Sequence, residues 1–205
     1  RLRTLPGLPA DLPARIETHL DNHLRQDYKI ALRGRTLDLG GRTHVMGVVN
    51  VTPDSFSDGG AFLDHAAAVR HAADMAAAGA DIIDIGGEST RPGADPVPED
   101  EELARILPVI RRTAAETLAL VSVDTYKAAV ARRALEAGAA IVNDISGLRF
   151  SPDMARIVAD HDAAVVVMHI KGTPRDMQAA PAYDDVVSEV LNYLGIEETR
   201  YRKIQ

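Results

Sequence analysis

Polar side chains gather at five places along the 205-residue chain, each at the end of a short apolar run. Asn50 ends the first run, Val45–Val51, and a polar stretch from Asp84 to Arg91 ends the second, Asp81–Ile85. Asp124 follows Leu118–Val123, Asn143 and Asp144 come late in Ala140–Ile145, and His169 follows Ala164–Met168. A carboxylate accepts from adjacent ring N–H and amino donors, while an amide offers one donor and one acceptor. Asp124 with Asn143 therefore suits a flat, hydrogen-bonding heterocycle. Arg91 has the bidentate fork that fits a phosphate or a carboxylate. Such a local group matters here, because the chain's net charge is −7. That balance argues against a general nucleic-acid surface, so an anionic ligand needs an Arg, a metal ion or backbone N–H groups. The absence of Cys excludes a disulfide framework and a thiolate metal site. His169 invites a reading as base or metal ligand, but strand parity turns it away from the face of Met168, which makes it structural or a support behind the residues that touch the ligand.

The elements that position these groups follow a repeating pattern. Between the apolar runs lie Ala-rich helical stretches at Asp64–Ala78, Pro98–Thr117, Thr125–Ala137, Pro152–His161 and Ala182–Leu194. Gly79 and Gly138 stand where helix C-caps belong, each just before a strand. Alternating strands and helices predict a parallel sheet, and strands apolar throughout predict cover on both faces. The candidates are a barrel and an open doubly wound sheet. No G-x-G-x-x-G follows the first strand, which weakens the dinucleotide-binding version. Five strands with polar C-terminal ends match the face on which an α/β barrel builds its site. The expected fold is thus a TIM-type (β/α)8 barrel, with about five of the eight β/α units in this chain. By parity Asp124 and Asn143 point into the barrel mouth, with Ile145 and Met168 as apolar walls, and Asp144 points to the helices. Ahead of the barrel, residues 1–35 read as a Pro-rich arm and a short helix carrying Leu12, Ile16, Leu20 and Leu24. A small N-terminal β-hairpin is expected at residues 36–45, turning at Gly40-Gly41, so the barrel domain is taken as 36–205.

Two long motifs carry a family resemblance. MGVVNVTPDSFSDGG (residues 46–60) and DIIDIGGESTRPG (81–93) resemble the first two signatures of the dihydropteroate synthases, pterin-binding enzymes of folate biosynthesis. SVDT (122–125), VNDISG (142–147) and MHIKGTP (168–174) are similar to the later blocks, in order and at similar spacing. The resemblance runs from about Thr36 to Leu191. It implies condensation of 6-hydroxymethyl-7,8-dihydropterin pyrophosphate with p-aminobenzoate, giving 7,8-dihydropteroate and pyrophosphate. It makes Asn50 the ligand of a Mg²⁺ cofactor that also holds the pyrophosphate, consistent with that ion's preference for hard oxygens and phosphate. It assigns Asp124 and Asn143 to the pterin, Ile145 and Met168 to its walls, Thr90 to the pyrophosphate and Arg91 to the anionic site beside Pro92. The Pro-, Ser- and Gly-rich stretch 52–60 has the chemistry of a lid. By resemblance it closes over the aminobenzoate with Phe56 against the ring and Asp54 among the polar contacts.

A methyltetrahydrofolate–corrinoid methyltransferase would also bind a pterin in a similar barrel, but methyl transfer needs no pyrophosphate site. A non-catalytic pterin-binding protein is the rival from another class. It gains weight because the family's later Asp, Lys and closing Arg-x-His positions are absent from these 205 residues. Five strands leave two sheet edges and an apolar inner face, so the 205 residues alone are not expected to form a stable, active monomer. The acids Glu99–Glu102 read only as negative charge at a helix start. The resemblance implies a homodimer for a full-length version, and the lack of an apolar run or leader gives a cytoplasmic expectation with no membrane partner.

Overall fold

The computed structural model describes residues 11–52, 61–89 and 96–202, so the expected sites at Asp54, Phe56, Thr90, Arg91 and Pro92 lie outside the described residues. The elements run α1 (Leu12–Leu24), β1 (Tyr28–Leu32), β2 (Arg35–Leu39), β3 (Met46–Asn50), α2 (Ala61–Ala77), β4 (Ile82–Gly86) and α3 (Glu99–Glu116). They continue with β5 (Leu120–Asp124), α4 (Ala128–Glu136), β6 (Ile141–Asp144), α5 (Met154–Asp160), β7 (Ala164–Val167) and α6 (Val186–Arg202).

Strands β3 to β7 form one parallel sheet in unbroken sequence order. A doubly wound sheet reverses its strand order at a switch point, and none occurs here, so these are consecutive units of a barrel. Period-two alternation divides the strand residues between two cores. Val49, Ile83, Ile85, Val121, Val123 and Val142 pack outward against α2–α5, where they meet Val69, Ile106, Ile110 and Leu135. Ile82, Leu120 and Ile141 face inward at the N-terminal end of the sheet, where Leu32 and Leu37 of the hairpin cover them. Leu32 is wholly buried there, and burying such a side chain contributes on the order of 1.5–3 kcal/mol. The hairpin therefore plugs the barrel floor, and the polar strand ends lie at the opposite face. Helices α2 and α4 close in Schellman turns: Gly79 and Ala80 donate back to Ala76 and Met75, and Gly138 and Ala139 to Leu135 and Ala134.

The hairpin corrects one expectation. It pairs β1 with β2 and turns at Arg33-Gly34, not at Gly40-Gly41. Both turn residues have positive φ, 47° and 73°, the geometry whose twist matches the flanking strands in a two-residue loop. Arg33 is held in that unfavourable region by its surroundings. Its N–H donates to the Asp162 carbonyl, and its guanidinium donates to the carbonyls of Leu135 and Ala139. Below the barrel, Arg42 forms a bidentate pair with Asp81, whose carboxylate also accepts from the Val45 N–H. These bonds, the guanidinium first, hold Asp81 well below the usual carboxylate range. Helix α1 forms as expected, but Leu20 and Leu24 of its apolar stripe remain exposed.

Candidate active site

The register of the parallel sheet decides which side chains meet. Asn50 on β3 lies beside Gly86 on β4, Gly86 beside Asp124 on β5, Asp124 beside Asn143 on β6, and Asn143 beside Val166 on β7. Residues in register on a parallel sheet share a face, so these five form one row at the C-terminal end of the strands. The row below it runs Val48, Asp84, Ser122 and Ile141. Ile145 is buried just beyond β6, and Met168 lies partly exposed just beyond β7. The structure thus brings Asn50, Asp124 and Asn143 together, with Ile145 and Met168 one step above.

Asp84 belongs to the same site, although the sequence reading gave it no role. The Asn143 side-chain amide donates to its Oδ2 at 2.9 Å, tying the two rows together. Its Oδ1 is buried with no hydrogen-bond partner among the described residues, as are Oδ1 of Asp124 and the hydroxyl of Ser122. An unpartnered buried acceptor costs about 1–3 kcal/mol, so two carboxylate oxygens left this way on neighbouring strands mark a place for a donor-rich ligand. Burial raises the Asp124 carboxyl to about 7, aided by the negative charges of Asp84, Glu102, Asp144 and Glu88. Gly86 is the only member of the row without a side chain. A Cβ built there would lie 3.4 Å from the Asp124 Cβ, 3.5 Å from its Oδ2 and 3.8 Å from the Asn50 Oδ1. The gap between the amide and the carboxylate therefore admits a methyl group in ordinary contact with both.

Asp144 has the outward orientation expected from parity. It is fully buried and accepts from the N–H and hydroxyl of Ser146 and from the Leu148 N–H, which shapes the turn after β6. His169 packs against Tyr193 and Tyr183, with ring centroids 4.8 and 5.8 Å apart, in agreement with a structural role.

Glu102 requires a correction, because it does more than charge a helix start. It is 1% exposed, and its Oε2 accepts from the Lys127 ammonium at 2.6 Å. Lys127 also donates to Glu88 Oε2 at 2.5 Å, and Glu88 in turn accepts from the Tyr126 hydroxyl. Burial raises the Glu102 carboxyl despite Lys127. Burial also acts to raise Glu88, but its bonds from Lys127, Tyr126 and Val97 outweigh that and leave it below its ordinary value.

Among the described residues, a magnesium ion could be held through Asn50. Among the described residues no three His, Asp or Glu side chains are grouped to hold a metal. Asn50 is exposed at the end of β3 and offers one hard amide oxygen. That suits an ion whose remaining ligands are waters and substrate oxygens.

Comparison with known proteins identifies the family. The profile of a family described as pterin binding enzyme matches residues 46–204. A dihydropteroate synthase of Synechocystis sp. is 48% identical over 165 residues, which cover 80% of this chain and 57% of that protein. Among solved structures, Xanthomonas albilineans dihydropteroate synthase with 4-aminobenzoic acid superposes with a TM-score of 0.77 at 49% identity. That match covers 86% of this chain and 63% of the other. The same enzyme in complex with 7,8-dihydropteroate gives a TM-score of 0.73 at 44% identity, over 86% and 61% of the two chains. The chain thus spans less than two thirds of the length of these relatives. The match from β3 onward places the chain in the family of pterin-binding enzymes, to which it belongs.

Proposed function

We propose that the protein carrying this chain is a dihydropteroate synthase. The observation that carries the reading is the pair of unpartnered, buried carboxylate oxygens on Asp84 and Asp124, flanked by the Asn143 amide. A pterin ring presents adjacent N–H and amino donors, which acceptor-only carboxylates match. Relatives about half identical, and named as this enzyme, support the choice of reaction. In that reaction the aminobenzoate nitrogen forms a bond to the pterin's exocyclic CH₂, the C–O bond to pyrophosphate breaks, and the nitrogen's proton passes to solvent.

Asp124, Asp84 and Asn143 hold the ring, and their acceptors favour positive character on it as the leaving group departs. Gly86 gives the CH₂ and its bridging oxygen room between ring and phosphate sites. Asn50 directs the pyrophosphate end, together with Thr90 and Arg91 by resemblance; Asp54, Phe56 and Pro92 belong to the aminobenzoate side on the same ground. A bound Mg²⁺ would supply charge neutralisation to the departing pyrophosphate. No covalent protein nucleophile is needed. The deciding experiment is incubation with both substrates and Mg²⁺, with dihydropteroate detected by mass spectrometry. Pterin binding without product would favour the non-catalytic reading.

Two substitutions test the row. Asn50→Ala is expected to reduce Mg²⁺-dependent pyrophosphate affinity while sparing a pterin without phosphates. Calorimetry that finds equal pyrophosphate affinity in variant and parent would remove Asn50 from the metal site. Gly86→Ala is expected to melt within a few degrees of the parent, because its Cβ meets only ordinary contacts. It should nonetheless bind pterin pyrophosphate at least about tenfold more weakly, the equivalent of ~1.4 kcal/mol. Undiminished affinity would show that the ligand does not pass between Asn50 and Asp124.

A further inference from the structure

One ammonium group holds both ends of the connection between β4 and α3. The connection leaves the barrel at Glu88 and returns at Val97, and Lys127 donates to Glu88 Oε2 and to the Val97 carbonyl, at 2.5 and 2.6 Å. Its third proton goes to Glu102 in the first turn of α3. The two ends are also bonded to each other, since the Val97 N–H donates to Glu88 Oε2 at 2.9 Å. Tyr126, next to Lys127, donates from its hydroxyl to the other Glu88 oxygen. Carboxylates and ammonium are all largely buried, with side chains 8%, 1% and 13% exposed.

Stability is a poor reason for this arrangement. Removing three charges from water costs several kcal/mol per ion, and a buried pair commonly does no better than apolar side chains of the same volume. Here two carboxylates share one ammonium, and Glu102 Oε1 has no hydrogen-bond partner among the described residues. Position is the better reason. Lys127 stands three residues after Asp124, so the loop that leaves the ring-binding strand also clasps the connection that contains Thr90 and Arg91.

We propose that Lys127, with Glu88 and Glu102, is a positioning residue that fixes the two ends of the β4–α3 connection, at Glu88 and Val97, relative to Asp124. The groups that the resemblance assigns to the anion, Thr90 and Arg91, lie between those two ends in the sequence. The inference rests on the synthase reading, in which one substrate carries both a ring and a pyrophosphate. Holding two binding groups in fixed relation is what lets remote binding energy serve the reacting centre.

The test compares the full chain with the triple variant Glu88→Gln/Lys127→Met/Glu102→Gln, which removes the charges together and leaves no ion unpaired. Two ligands are titrated, 6-hydroxymethylpterin and its pyrophosphate with Mg²⁺, and amide exchange is followed over residues 89–97. The triple variant is expected to bind the simple pterin as the parent does, while the gain in affinity conferred by pyrophosphate shrinks at least about tenfold. Exchange over 89–97 should rise by a similar factor, with α3 and α4 unchanged. An unchanged gain or unchanged exchange overturns the proposal. If the triple variant does not melt cooperatively, Lys127→Met/Glu102→Leu, which leaves Glu88 bonded to Tyr126 and Val97, is measured in the same way. An undiminished gain there, or collapse of both variants, overturns the proposal as well. A parent that gains nothing from pyrophosphate refutes the synthase reading separately, and the exchange measurement still reports on the clasp.

Discussion

Replacing Asp124 with Asn is expected to stabilise the ligand-free protein and to weaken its hold on pterin by about 100-fold. The two effects have opposite signs and one origin. In the empty site burial and four neighbouring acids raise the carboxyl to about 7, against roughly 3.9 in an unfolded chain. Between about pH 4 and pH 7 the unfolded chain is then ionised at this position and the folded chain is not. The unfolded state binds fewer protons in that window, so stability falls as pH rises through it and levels off above 7. About three pK units correspond to at most ~4 kcal/mol lost by pH 8. An amide never ionises and escapes that loss, so the melting curves of variant and parent should diverge between pH 4 and 7 and run parallel above. Binding responds in the opposite direction. Ring donors favour the ionised carboxylate, so the parent's pterin affinity should rise with pH up to about 7, whereas the variant's should be weak and flat. An amide also points a donor at a donor, which costs on the order of 1–3 kcal/mol. Simple pterin should accordingly suffer more from Asp124→Asn than from Arg91→Ala. Calorimetric titration at pH 5, 6, 7 and 8 decides it. Equal affinity in variant and parent would return Asp124 to a structural role.

Much of this site is legible in the sequence because a parallel barrel has simple rules. Strand parity places Asp124 and Asn143 on one face and Asp144 on the other, and the structure agrees. Asp84 carried a signal of its own, a carboxylate inside an otherwise apolar strand, two residues before Gly86. What the sequence does not contain is the stagger between neighbouring strands, which lets Asn143 reach back one row to Asp84. Glu102 looked like its three acidic neighbours, since all four suit a helix N-terminus. Extending the buried period of α3 backward from Thr113, Ile110, Val109 and Ile106 reaches Glu102 and separates it from them. Lys127 could not be paired in advance, because its partners lie 25 and 39 residues away. The glycine pair Gly40-Gly41 is the stronger turn signal in the sequence, yet the chain reverses at Arg33-Gly34. At positive φ, Arg33 is held by its own N–H and guanidinium, which donate to the carbonyls of Asp162, of Leu135 in α4 and of Ala139.

As an isolated polypeptide, the 205 residues are expected to self-associate. Strands β3 and β7 are the two ends of the parallel sheet, each paired within it on one side only. Their inner-face residues Val48 and Val166 are 53% and 42% exposed, and Met46 and Met168 are exposed beside them. Apolar edges without charge or proline are the ones that recruit other strands. The inner faces of β4, β5 and β6 behave differently, since Ile82, Leu120 and Ile141 are covered by the hairpin. The association should therefore arise at the edges and be sensitive to charge there. Val48→Lys/Val166→Lys should move the isolated polypeptide towards a monomer in size-exclusion chromatography with light scattering. In a chain whose barrel closes, the same substitutions would put two ammonium groups into the rows that hold Asp84, Asp124 and Asn143, and should block the ring site. One pair of changes thus has opposite consequences in open and closed barrels. Monomers with and without the substitutions, both melting cooperatively, would show that these edges are already satisfied within the 205 residues.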